Sequence, residues 1–371
     1  MRIALVVERF AREGGGVEAV THEVARGLAE AGEAVRVLCR ECAGAPPEGV
    51  AVHRLPVPRT WQPARVLAFS AAAARATATL RPEIVHSFSR TLHQDVYRAG
   101  GGCHAAYLEN RHGPRGARLR ALVPRHRVLL AIERRIFANP RQIVQCNSEL
   151  VAREIRERHG VPPERLVVIR NGVDLGRFHP DLRARARAPV RAELGLPEDA
   201  LVLLFLGSGF HRKGLDTALA ALAGWGAPEA HLVVAGRDDP GPWRRRATAL
   251  DLGDRVHFLG AEPRPERLYA AADVLVLPTR YDAFANVCLE ALAAGVPVVT
   301  SASNGAAEVL GDAGIVVERA DDAAGFAAAL AELADPERRA ARACRARGIA
   351  EQFGWSRHIE SLRELYRKVA A

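Results

Sequence analysis

The sequence predicts an α/β fold built from two doubly wound, parallel-sheet domains. Three observations carry that expectation. Short apolar runs rich in β-branched residues recur along the 371 residues, separated by loops and helix-like stretches. The runs at 274–278 and 296–300 are unbroken rather than alternating, as strands buried on both faces of a parallel sheet should be. The alternation runs once through the first half, pauses at a junction, and restarts near Leu201. The length suffices for two domains of ordinary size.

In chain order, residues 3–7 form the first strand, because Glu8 interrupts the apolar run too early for a secretory signal. The loop Glu13-Gly14-Gly15-Gly16-Val17-Glu18 follows, then a helix over 19–31 closed by Gly32 and a strand at 35–39. This arrangement puts Gly15 and Gly16 at a helix N-terminus, where a diphosphate or a sugar can come close to backbone amides. No Lys-Ser/Thr follows, so the loop is not a Walker motif, and its glycine spacing is not GxGxxG. Residues 84–88 form a further strand. Asp95-Val96-Tyr97-Arg98 then leads through three glycines to Cys103 and His104.

The stretch 111–141 holds nine arginines and one acid, Glu133, a local charge of +8 in a chain whose net charge is +9. Leu119, Leu122, Val123, Val128, Leu129, Ile132, Ile136 and Phe137 are interleaved with them. An apolar face beside an arginine-rich one fits a helix lying on anionic lipid, and equally one packed on its own domain. Few aromatics and no DNA-binding motif argue against nucleic acid. Strands follow at 143–146, where Asn147-Ser148 caps the next helix, and at 166–169, which ends in Arg170-Asn171-Gly172-Val173-Asp174. Residues 178–189 read as a linker.

Strands at 201–206, 231–235, 256–259, 274–278, 296–300 and 315–317, with helices between them, make the second half a Rossmann-like domain. Its first strand opens into Gly207-Ser-Gly-Phe-His-Arg212-Lys213-Gly214. Lys213 and Lys368 are the chain's two lysines among 52 basic residues. A lysine kept after a glycine loop, at a helix start, points to a need for a compact charge on a stem. At 283–294 a helix is expected, closed by Gly295, with Asp282 just before it and Glu290 two turns in. The first-turn amides around Phe284, Ala285, Asn286 and Val287 would face an anion. A polyol and a phosphate could be held at this one corner. A last amphipathic helix follows over 351–369, carrying Trp355.

No apolar run reaches the length of a membrane span. The six cysteines, mostly in apolar contexts, read as buried thiols in a reducing compartment. Cys39 and Cys42 form a lone CxxC, read as a strand-end coincidence rather than a metal or redox pair.

The corner Asp282, seven residues, Glu290, Ala291, Gly295, Pro297, Val298 resembles the donor-sugar motif of the retaining GT-B glycosyltransferases of family 4. Most relatives have Glu where this chain has Asp282, Pro where it has Arg170, and Arg where it has Ser208. The segment around Asp95–Arg98 and the Arg212-Lys213 pair are similar to a narrower branch, the lipopolysaccharide core glucosyltransferases. The resemblance implies a GT-B fold of two Rossmann-like domains facing across a cleft, with a C-terminal helix crossing back. The implied domains are 1–178 for the acceptor, 179–352 for the donor and 353–371 for that helix. It also implies hexosyl transfer from a nucleotide sugar, here UDP-glucose, to a lipopolysaccharide-core or similar glycolipid. Arg212 and Lys213 would neutralise the diphosphate, Asp282 would hold sugar hydroxyls, and Glu290 would bind the ribose. His104 would lie near donor and acceptor, and Gly15, Gly16, Asn171, Gly207 and residues 284–287 would line the substrates. No metal or other cofactor is expected, nor nucleic acid, and the implied location is the cytoplasmic face of the membrane. Alternatives are another hexosyltransferase using GDP-mannose or UDP-N-acetylglucosamine, a GT-B epimerase, and a non-catalytic polyanion-binding module. The last gives no reason for the two carboxylates.

Overall fold

The computed structural model describes residues 1–12, 14–58 and 61–371, so Glu13 of the glycine loop lies outside the described residues. Two compact units result: Met1–Gly172 with Trp355–Ala371, and Val173–Gly354.

The first unit runs β1 (Arg2–Ala11), α1 (Gly16–Glu30), β2 (Ala34–Ala43), β3 (Val50–Arg54), α2 (Gln62–Leu80), β4 (Ile84–Ser87), β5 (Val96–Arg98), α3 (His104–Ala121), α4 (Pro124–Ala138), β6 (Ile143–Cys146), α5 (Glu149–His159) and β7 (Leu166–Val168). Its strands lie in the order β3-β2-β1-β4-β5-β6-β7, each pair parallel. The order reverses between β1 and β4. Residues 3–7 of β1 are buried, as an unbroken apolar strand in a doubly covered sheet must be.

The second unit runs α6 (Asp181–Glu193), β8 (Leu201–Leu206), α7 (Leu215–Trp225), β9 (Ala230–Ala235), α8 (Gly241–Thr248), β10 (Val256–Gly260), α9 (Pro265–Ala271), β11 (Val274–Leu277), α10 (Asn286–Ala293), β12 (Val298–Ser301), β13 (Gly314–Val317), α11 (Ala323–Ala334) and α12 (Pro336–Ala350). The strand order is β10-β9-β8-β11-β12-β13, again parallel, and it reverses between β8 and β11.

The last helix, α13 (Trp355–Ala370), packs with the first unit. Leu362 and Tyr366 are fully buried there, and the Tyr366 hydroxyl lies 2.7 Å from Nδ1 of His86 in β4. Ile359 covers Gly27 of α1, where a Cβ would come within 2.6 Å of it. Trp355 lies on Gly172, where a Cβ would stand 2.5 Å from the indole ring. That contact explains the glycine of the Asn171-Gly172 turn.

The expected linker at 178–189 is instead mostly helix α6. Arginine spacing is the reason. Arg183, Arg187 and Arg191 recur every four residues on one face of α6. All three donate to the buried carboxylate of Asp273, at 2.7, 2.9 and 2.6 Å. Asp273 also accepts from the Val202 amide at 2.9 Å, which ties α6 to the start of β8. Pro189 within α6 does not prevent this docking. The basic stretch is two helices, with α3 kinked at Gly113 (φ 69°) before Pro114. Ile132, Ile136 and Phe137 of α4 are buried, so that face packs on its own unit. Leu119 and Leu122, at the α3–α4 turn, are 71% and 69% exposed. Strands β3 and β5 were not expected from the sequence.

Asp273→Ala should leave three arginines around an empty position. Removing one partner of a buried ionic cluster costs roughly 3–5 kcal/mol. Urea unfolding should register a loss of that order, whereas Asp321→Ala, removing an exposed ion pair with Arg319, should leave the unfolding midpoint where it is.

Candidate active site

Open α/β sheets bind ligands beyond the strand ends where their order reverses. In the second unit those strands are β8 and β11. β8 opens into loop 207–214 and β11 into loop 278–285. The two sequence motifs therefore meet because of topology.

Two glycines permit the meeting. Gly207 (φ 129°) lies under the Lys213 side chain, whose Cε would be 2.6 Å from a Cβ there. Gly214 (φ 78°) abuts the carbonyl of Pro278, 1.9 Å from where a Cβ would stand. The loop is tied down on both sides. The Gly209 and Phe210 amides donate to Asp238 at 2.7 and 3.1 Å. The Arg212 carbonyl accepts from the Arg280 amide at 2.8 Å and the Thr279 hydroxyl at 3.2 Å.

Arg212 and Lys213 then converge on one atom, Oδ2 of Asp282, at 2.8 and 3.1 Å. Arg212 also donates to the Tyr281 carbonyl at 2.8 Å. Burial by itself pushes the Asp282 carboxyl up, but Lys213 and Arg212 outweigh it and hold the group at about 2. Lys213 is only 7% exposed, so it needs that counter-charge.

Helix α10 begins at Asn286, three residues later than expected. The side chain of Asn304 is the reason, since its Oδ1 accepts from the amides of Ala285 (3.2 Å) and Ala306 (3.1 Å). Asn304 further donates to Thr300 at 3.1 Å and to Cys288 at 3.4 Å. Phe284 and Ala285 are thus buried before the helix, and the Ala285 amide is committed to Asn304 rather than open to an anion. Asn286 and Val287 form the first turn of α10, which no side chain caps. Glu290 follows one turn on and is half-buried. Its Oε2 accepts from the Tyr269 hydroxyl at 2.8 Å, and burial raises its pKa. Tyr269, Asn304 and Asp238 were not singled out from the sequence. Each acts through a contact 19 to 29 residues away in the chain, which local pattern does not register.

The remaining expected site residues belong to the first unit. Its strand order reverses at β1 and β4, and a cavity of about 430 Å³ lies there, lined by Glu8, Arg9, Val17, Glu18, Ser89 and Arg90 among others. Gly15 caps α1 without a side-chain bond, with the Glu18 carboxylate folded back beside it. Gly16 is the first residue of α1. Asn171 is buried, and its Oδ1 accepts from Arg98 at 2.7 Å. His104 is buried at the start of α3, with Nε2 2.9 Å from Nδ1 of His126. Burial foremost, then Arg90, lowers its pKa to about 4, so it is neutral. Among the described residues, Cys103, Glu133 and His159 have ligand atoms close enough to hold a cation, all within 4.8 Å. They already bond to one another, Cys103 at 3.3 Å from Glu133 and 3.5 Å from His159.

Comparison with known proteins agrees with this architecture. Residues 14–177 match the model "Glycosyltransferase Family 4", and residues 187–349 match "Glycosyl transferases group 1". The D-inositol 3-phosphate glycosyltransferase of Geodermatophilus obscurus is 32% identical over 396 residues, covering 97% of this chain and 86% of that protein. The chain belongs to the family 4 glycosyltransferases. The lipopolysaccharide glucosyltransferase WaaG of Escherichia coli K12 is 28% identical over 304 residues, covering 81% of this chain and 80% of that protein. The crystal structure of WaaG, a glycosyltransferase involved in lipopolysaccharide biosynthesis, superposes with a TM-score of 0.85 at 26% identity, covering 98% and 99% of the two chains. This glycosyltransferase accordingly has the GT-B fold class. Among its described residues no helix is long and apolar enough to cross a membrane.

Gly214→Ala tests whether the loop contact is obligatory. A Cβ at positive φ and against a carbonyl forces the two loops apart. Strain of about 1–3 kcal/mol is expected, read as a lowered melting temperature. Gly224→Ala, whose Cβ meets nothing within 4 Å, should leave stability unchanged or raised.

Proposed function

We propose that this glycosyltransferase moves a hexose from a nucleoside diphosphate sugar to a glycolipid acceptor, with retention of configuration and without a metal ion. The observation that carries the reading is the pair Arg212 and Lys213, held on one carboxylate at the sheet's reversal point. A departing nucleoside diphosphate develops charge as the glycosidic bond breaks. Cations fixed in advance stabilise that charge with little reorganisation. On donor binding the diphosphate takes the two cations over from Asp282. The freed Asp282 carboxylate then accepts hydroxyls of the transferred sugar. Glu290 keeps Oε1 for the ribose, since Tyr269 occupies Oε2. Retention follows if the leaving phosphate itself takes the acceptor's proton on the same face.

The donor is UDP-glucose and the acceptor a lipopolysaccharide-core type glycolipid on the cytoplasmic membrane face. The name of WaaG supports this reading. So do the exposed Leu119, Leu122 and Val123, which are flanked by Arg118, Arg120 and Arg125 at the α3–α4 turn. Apolar residues ringed by arginine suit an anionic bilayer surface. A second reading, a phosphorylated cyclitol acceptor, draws on the name of the Geodermatophilus relative. It gives no reason for the exposed leucines.

Lys213→Ala should reduce UDP-glucose turnover about 10²–10³-fold, the usual cost of losing one such preorganised group, with the melting curve still cooperative. Turnover within a few-fold of the parent would remove Lys213 from the diphosphate site. Separately, Leu119→Ser with Leu122→Ser should weaken co-sedimentation with phosphatidylglycerol vesicles by at least about tenfold. Turnover on a short soluble acceptor should not change. Unaltered sedimentation would exclude the α3–α4 turn as the membrane contact.

A further inference from the structure

A second cavity, also of about 430 Å³, lies in the first unit at α3 and α4. Four arginines line it, Arg90, Arg111, Arg120 and Arg125, with three histidines, His104, His112 and His126, and no acid. Among the described residues Arg111, Arg120 and Arg125 form no ion pair with a carboxylate. Arg111 is braced by Tyr107, its guanidinium 5.8 Å from the ring centroid and bonded to the hydroxyl. Arg90 reaches Glu133 at 3.6 Å behind the cavity wall, and its Nε is buried without a hydrogen-bond partner.

Three guanidinium groups with no counter-charge, converging beside Arg90, repel one another, and that cost is relieved when an anion enters. Guanidinium forks match phosphate oxygens, and neutral imidazoles add N–H donors or take up a proton. Burial foremost, then the neighbouring arginines, lowers the pKa of His112 and His126, a sign of the positive charge crowded around them. The lining offers one aromatic ring, Tyr107, too little to stack a nucleic acid strand. Arg90, Gly101 and Leu129 line both this cavity and the one at the ends of β1 and β4. The two are therefore adjoining compartments of one groove.

We infer that the α3–α4 cavity is a subsite for a phosphate group carried by the acceptor saccharide, whose reacting hydroxyl lies in the adjoining compartment. This rests on the acceptor reading above and adds the chemical class of the group that the acceptor must bear.

The test is calorimetric titration of the whole chain with inorganic phosphate and with a hexose 6-phosphate. The parent and Lys213→Ala should both bind at one site in this cavity. Arg120→Gln with Arg125→Gln, both exposed residues, should weaken binding on the order of tenfold or more, while Leu119→Ser with Leu122→Ser should not. With turnover, the arginine variant should raise KM for a phosphorylated acceptor and leave kcat and the KM of its dephosphorylated form unchanged. Phosphate binding unaffected by the arginine substitutions overturns the subsite. Loss of vesicle binding in the arginine variant, with no hexose phosphate binding in the parent, reassigns the cavity to lipid headgroups and overturns the saccharide assignment. The titration needs no donor, so phosphate binding can stand if the nucleotide-sugar reading fails, and turnover can stand if the subsite fails.

Discussion

A single carboxylate oxygen, Oδ2 of Asp282, organises the loops after β8 and β11. It accepts from Arg212 and Lys213, which come from the loop after β8, while Asp282 itself comes from the loop after β11. A lysine so little exposed cannot stay charged without a partner. The glycines follow from the same constraint. Gly207 makes room for the lysine stem, and Gly214 lets the two loops touch at Pro278. Aspartate rather than glutamate at 282 keeps the carboxylate close to its own backbone, where Oδ1 also accepts from the Phe284 amide at 3.3 Å. The two cations are thus fixed on one short side chain, which under the proposed function is what a diphosphate would displace.

The first unit uses an acid in the same way, for a different end. Glu133, the one acid in 111–141, is 1% exposed. It accepts from the His104 amide at 2.7 Å and from Cys103 at 3.3 Å, and it lies 3.5 Å from His159 and 3.6 Å from Arg90. Burial alone would raise its pKa, but His159 and Arg90 with these donors hold it at about 2. Glu133 therefore pins α3, α4 and α5 together from inside. His104 takes its position from that anchor through its backbone, which leaves its ring free to pair with His126.

Much of this was legible in the sequence because parallel strands are apolar throughout. The strands at 143–146 and 201–206 are found where their composition puts them, whereas the direct bonds of Arg212 and Lys213 to Asp282 were not expected from the sequence. What escaped has identifiable causes. β3 is a short edge strand with its alternate residues in solvent, and β5 has three residues, so neither carries an apolar run. Residues 178–189 looked like a linker because the face of α6 that docks is arginine, and its partner Asp273 lies 82 residues beyond Arg191. Asn171 sits in a turn typical of a ligand site, yet Arg98, 73 residues earlier, claims its side chain. Ala285 precedes α10 because Asn304 on the next loop captures its amide. In each case a long-range polar contact outweighed the local pattern.

The distribution of arginine carries the last step. In the second unit arginines are mostly consumed by structure: three on Asp273, Arg280 on Asp216, Arg342 on Glu332, Arg347 on the carbonyls of Leu175 and Phe178. Such pairs cancel charge and fix geometry. Over 111–141 the arginines outnumber acids nine to one, and that acid is buried behind the wall. This stretch has a local charge of +8, against a net charge of +9 for the whole chain. Concentrated, unpaired charge costs stability through self-repulsion, and anions recover that cost on binding. Arg212 and Lys213, by contrast, are already neutralised in part by Asp282. The two proposed anion sites therefore differ in kind: an exchange of one anion for another at the loops after β8 and β11, and a gain of an anion at α3 and α4. Ionic strength should weigh on the second far more than on the first, since exposed charges are screened and recessed pairs are not.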